Sequence, residues 1–208
     1  MRRPIVVSCV LVLAGASAVP GALAKKPFNG NICGIPFGGE LAAAHISDPC
    51  VKGKTRNHPA KRSPVGGSVG STIYSAHWGQ AHSSASPSHY LLIEITKYYG
   101  SGNALSLGRK LLFGEVLQNG YPIAVGNRAS LATDTYSCAM NPPTGDCTKG
   151  EVLAIVGNYF VLVGLDDAPP TIAGAEEGPA EDEAQDNEQE ETIKGPLTAI
   201  AKSIAAKL

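Results

Sequence analysis

EVLAIVGNYFVLVGL, residues 151 to 165, decides the fold. Glu151 to Val156 and Tyr159 to Leu165 are rich in β-branched and aromatic residues, and they flank Gly157-Asn158, a two-residue connection of the kind that closes an antiparallel hairpin. Working outward, a further strand is expected within Arg128 to Tyr136. Two more are expected at Thr72 to Trp78 and Tyr90 to Tyr98, where Leu91, Ile93 and Ile95 share one face and Glu94 and Thr96 the other. Helices are expected at Glu40 to Ile46 and at Ala104 to Gln118, the latter weakened by Gly108 and Gly114. Residues 51 to 70 read as a loop rich in Gly, Pro, Lys and Arg. The order of elements predicts an α+β fold, an antiparallel sheet of about five strands packed against helices.

Arg2 and Arg3 precede an apolar run from Pro4 to Ala14 and a small-residue end at Ala22-Leu23-Ala24. That order is a secretory signal peptide over 1 to 24, cleaved after Ala24, and implies a secreted, extracytoplasmic protein. The apolar run falls short of the roughly 20 residues that a membrane-spanning helix needs, and no later segment approaches that length. Cys9 leaves with the signal, and Cys33, Cys50, Cys138 and Cys147 remain. Four cysteines allow three pairings, and the expected one joins neighbours in sequence, Cys33 with Cys50 and Cys138 with Cys147. Zinc ligation would want closer Cys-x-x-Cys spacing or interleaved histidines. Within TYSCAMNPPTGDCTKGEV, residues 135 to 152, the second pair reads as a staple across a turn stiffened by Pro142-Pro143.

Residues 25 to 165 have the composition of one exported domain, with twelve basic and seven acidic residues for a net charge of +5. Residues 166 to 193 read as a disordered acidic linker, because Asp166 to Glu191 holds eleven acidic residues, no basic one and no aromatic one. Residues 194 to 208 form an expected amphipathic helix in which Leu197, Ile200, Ile204 and Leu208 fall at helical spacing and Pro196 sits in the first turn. So short a helix is marginal alone in water, which favours docking on the sheet.

Several groupings suggest chemistry. Gly66 to Gly70, GGSVG, matches a nucleophile elbow centred on Ser68, but that motif needs a preceding strand and a following helix, and the flanks here supply neither. His77, His82 and His89 are spaced so that three imidazoles at one hairpin end could hold zinc or copper. No carboxylate lies between His77 and His89, and the connection is long and Ser-rich, so the expected reading is a polar loop whose histidines face water, with no metal. Asp134 and Asp146 could pair as an acid and a base, though turn chemistry accounts for Asp146 beside Gly145. Lys52, Lys54, Arg56, Lys61 and Arg62 form a basic segment with no acid among them. Nucleic acid would want interleaved aromatics, which are missing. The segment fits attraction to the chain's own acidic tail, to an anionic envelope polymer or to a phospholipid surface, and the expected partner is a small ligand or an envelope component. No cofactor and no catalytic residue is expected.

CGIPFGGELAAAHISDPC, TIYSAHWG, GNRASLATDT, the late hairpin and LTAIAKSIAAKL together resemble small extracytoplasmic domains of actinobacterial exported proteins, including uncharacterised lipoproteins and the sensor domains of membrane-bound serine/threonine kinases. The resemblance covers roughly residues 32 to 165 and 196 to 208. It implies a cysteine-bracketed helix before an antiparallel sheet, and a binding or sensing module without catalytic residues. The chain departs from that pattern in having no lipid-attachment cysteine after the signal and no kinase domain. A small secreted hydrolase and a cell-surface interaction protein acting through charged segments are the alternatives.

Overall fold

The computed structural model describes residues 27–79, 89–118, 120–137, 146–167 and 179–208. The expected signal peptide, His82 and Cys138 lie outside these residues. After a short 3-10 turn, Ile32–Gly34, come α1 (Glu40–Ala43), β1 (Val51–Lys52), β2 (Arg56–Arg62), β3 (Ser68–Trp78) and β4 (Tyr90–Ser101). Then follow α2 (Gly102–Gln118), β5 (Tyr121–Ile123), β6 (Arg128–Ser137), β7 (Asp146–Val156), β8 (Tyr159–Asp167) and α3 (Pro179–Ala205). The strands form one antiparallel sheet in the order β1-β3-β4-β8-β7-β6-β5, with β2 pairing β3 beside β1.

The α+β class holds, but the sheet has 8 strands rather than about five. The additional ones are β1 and β2, inside the segment read as a loop, and β5. All seven residues of β2 are exposed, so the strand shows no apolar alternation to read; backbone pairing to β3 alone defines it. Tyr121-Pro122-Ile123 is too short to show a period.

The decisive hairpin forms with Val156 opposite Tyr159. Gly157 takes the first central position at φ 59°, the positive value that primed turns demand there. Its N–H donates to Asn127 Oδ1 at 2.6 Å, which ties this turn to the start of β6.

Alternation gives the sheet two unlike faces. Ala76 and Trp78 of β3, Leu91, Ile93 and Ile95 of β4, Val161, Val163 and Leu165 of β8, Val152 and Ala154 of β7, and Ala129 and Leu131 of β6 make the buried face. Ile193, Leu197, Ile200 and Ile204 of α3, each at most 1% exposed, cover it across β6, β7 and β8. Burying four such side chains favours docking by roughly 1.5 to 3 kcal/mol each, which holds α3 on the sheet. Ile32, Ile35, Phe37, Ala44 and Ile46 complete the core, with Phe37 edge-on to Trp78 at 5.6 Å.

The helix is longer than the 194 to 208 segment expected. It begins at Pro179, which places Pro196 inside it rather than in its first turn. Proline in a helix interior costs about 3 kcal/mol, and the burial of Leu197 and Ile200 beside it offsets that cost. On the opposite face, Leu153 and Ile155 form a second buried cluster with Phe160 and Leu162, and α2 lies against β3, β4, β6 and β7.

One disulfide, not two, is present among the described residues. It joins Cys33 to Cys50 with Cα atoms 5.6 Å apart and tethers the segment containing α1 to the start of β1. Cys138 lies outside the described residues, and with it the second expected bridge. Among the described residues, no helix is long and apolar enough to cross a membrane.

Candidate functional site: a basic sheet edge

The structure gathers the basic segment along one edge. Lys52 lies on β1 opposite Ala76, while Arg56, Lys61 and Arg62 lie on β2 opposite Ile73, Val69 and Ser68. Lys54 falls between the two strands, and all five cations are exposed. An edge strand offers unpaired backbone groups to any passing chain, and Lys, Arg, Pro and a bulge are the devices that block such pairing. β2 carries each of them: basic side chains, Pro59, and a register shift between His58 and Lys61.

The edge is held in place by specific contacts. Arg56 Nη2 donates to Glu94 Oε2 of β4 at 2.8 Å, reaching past β3. Both partners are solvent-exposed enough that the pair is worth at most about 1 kcal/mol. Tyr99 Oη donates to the carbonyl of His58 at 2.9 Å. The bulge settles directly onto Gly70, where a Cβ would stand 2.6 Å from Ala60 N and 2.7 Å from the His58 carbonyl oxygen. Sequence reasoning missed His58, Gly70 and Tyr99. Proline beside alternating basic residues was the available signal of an edge strand.

The other groupings resolve differently. Gly66 and Gly67, at φ 89° and 88°, form the turn from β2 into β3, closed by Ser63 N–H to the Gly67 carbonyl at 3.0 Å. Ser68 therefore begins a strand, with its Oγ 3.5 Å from Ser101 Oγ, and no elbow is built.

His77 and His89 have separate neighbours. The His77 ring lies 5.8 Å from Tyr90, and the His89 ring 5.6 Å from His45. His45 ends α1 in a Schellman arrangement, with Ile46 N–H bonded to the Leu41 carbonyl at 2.8 Å and His45 N–H to that of Ala42 at 3.1 Å. It adopts φ 54° where glycine is usual. Among the described residues, no three His, Cys, Asp or Glu side chains gather as a metal site.

Asp134 lies opposite Lys149, and Asp146 opposite Ser137, so the two occupy different levels of the β6–β7 ladder. The Tyr90 hydroxyl is pushed above its ordinary pKa, first by burial and then by the carboxylate of Asp166, its partner across the strand pair. It thus remains a neutral donor.

Comparison with known proteins finds no matching family model, no matching curated protein and no matching solved structure.

Proposed function

We propose that this chain is a secreted, non-catalytic binding module that engages an anionic component of the extracytoplasmic space through its basic sheet edge. The observation that carries the reading is the alignment of Lys52, Lys54, Arg56, Lys61 and Arg62, all exposed, along the one edge formed by β1 and β2. Long cationic side chains in a row raise the local concentration of a polyanion and speed its capture. The Cys33–Cys50 disulfide supports an oxidising compartment, where such bonds persist. The resemblance to sensor-like exported domains points the same way.

The test is binding of the purified protein to immobilised anionic and neutral polysaccharides over a salt series. Retention on the anionic matrix alone, falling steeply with salt and lost when the five cations are changed to Gln, is the expected result. Equal retention of the five-Gln variant would overturn the reading.

A further inference from the structure

The bulge in β2 decides which way its charges point. Arg56, His58 and Lys61 pair with Ile73, Ser71 and Val69, alternate residues that share one face of β3. Pro59 and Ala60 together span the single residue Gly70. Plain alternation from Arg56 would have sent Lys61 to the other face. The bulge restores it, so Arg56, His58 and Lys61 project from the same side at steps of roughly 7 Å. Arg62 and Lys52, opposite Ser68 and Ala76, project from the reverse side.

Two contacts fix this row before any ligand arrives. The Tyr99 hydroxyl pins the His58 carbonyl, and Glu94 holds the Arg56 guanidinium at the end of the row. A guanidinium has five donors, so contact with Glu94 leaves others for an anion.

From this geometry we infer that Arg56, His58 and Lys61 form a linear reader for a flexible polyanion lying along β2, presenting one donor side chain (guanidinium, imidazole, ammonium) for each step of roughly 7 Å. The inference rests on the function proposed above and narrows its ligand to a phosphodiester-type chain. A lipid headgroup surface is a sheet of charge and would draw on the cations of both sides, whereas a single chain uses one row.

The experiment measures affinity of the intact protein for synthetic poly(glycerol phosphate) across a salt series, comparing Lys61→Gln with Arg62→Gln. The two variants lose the same charge at adjacent exposed positions but on opposite faces. We expect Lys61→Gln to weaken binding about tenfold and lower the salt slope by about one, and Arg62→Gln, a cation of the same edge but on the reverse side, to weaken it by only about two- to threefold. Equal losses would overturn the row while leaving the basic edge as the binding site. Binding to phosphatidylglycerol vesicles with none to the polymer would overturn it in favour of a headgroup surface. Binding to neither would sink both the row and the function on which it rests. Unchanged melting temperatures confirm that both variants are folded.

Discussion

The hydroxyl of Tyr99 on β4 donates to the backbone carbonyl of His58 on β2 at 2.9 Å, bridging over the strand between them. The bond anchors an edge strand whose side chains are all exposed and so contribute almost no burial of their own. Tyr99→Phe removes this anchor and leaves the ring. The expected cost is about 0.5 to 1.5 kcal/mol, concentrated at β2. Hydrogen exchange should show faster β2 amides with little change at β7 and β8; uniform acceleration would mean that the bond supports the whole sheet instead.

Gly70→Ala attacks the same edge from beneath. Its methyl would meet backbone atoms of His58 and Ala60 at 2.7 and 2.6 Å, and backbone cannot swing aside as a side-chain tip can. Displacing the bulge should cost about 1 to 3 kcal/mol by thermal unfolding. It should also weaken polyanion binding with no change in charge. A variant as stable as the parent would show that the bulge is not seated on this glycine.

How much of this was legible beforehand follows from what leaves a trace in a sequence. Leu91, Ile93 and Ile95 alternate because one side of β4 is buried, and Gly157 stands where a positive φ is needed; both could be read directly. β2 left no such trace. A strand exposed along its whole length is defined by its pairing with Ile73, Ser71 and Val69 across the following turn, and amino-acid pattern does not encode that pairing. The same limit hid the site. Five cations were visible as a cluster, but the face that each takes depends on a bulge, and the bulge depends on Gly70 lying beneath it. The acidic stretch misled by composition: charge density argued for an unstructured linker, yet helix α3 runs back to Pro179.

Docking of α3 depends on close approach to β7. A Cβ on Gly150 would fall 2.8 Å from Ile193 Cδ1 and would also meet Leu197. Leu197→Ala, at a position that is 0% exposed, should cost about 2 to 5 kcal/mol, and Gly150→Val should lift the same helix by overpacking. Limited proteolysis reads both, with loss of the C-terminal segment preceding cleavage elsewhere. If the segment is retained in both variants, the helix is held by contacts other than these.

Ser130 Oγ is buried and has no hydrogen-bond partner among the described residues. It lies opposite Leu153, beside the second apolar cluster. Leaving a hydroxyl unpaired in such surroundings costs about 1 to 3 kcal/mol, so Ser130→Ala should raise the melting temperature slightly, where most core substitutions lower it. A clear decrease in Tm would mean that the hydroxyl is satisfied in solution.

Tyr90 makes the fold sensitive to alkali. Burial and then the Asp166 carboxylate disfavour its phenolate, so its folded-state pKa lies above the unfolded value of about 10. The neutral hydroxyl is the form that folding favours. Any stability tied to it is therefore fully present below about pH 10 and is lost as pH rises through the raised native value. Tyr90→Phe has no proton to lose, so its alkaline unfolding midpoint, followed by circular dichroism, should sit higher than the parent's. Asp166→Asn should let the Tyr90 ionisation fall toward the ordinary range without removing the burial effect, giving an intermediate absorbance titration. Coincident alkaline midpoints for parent and Tyr90→Phe would show that this hydroxyl does not limit the fold at high pH.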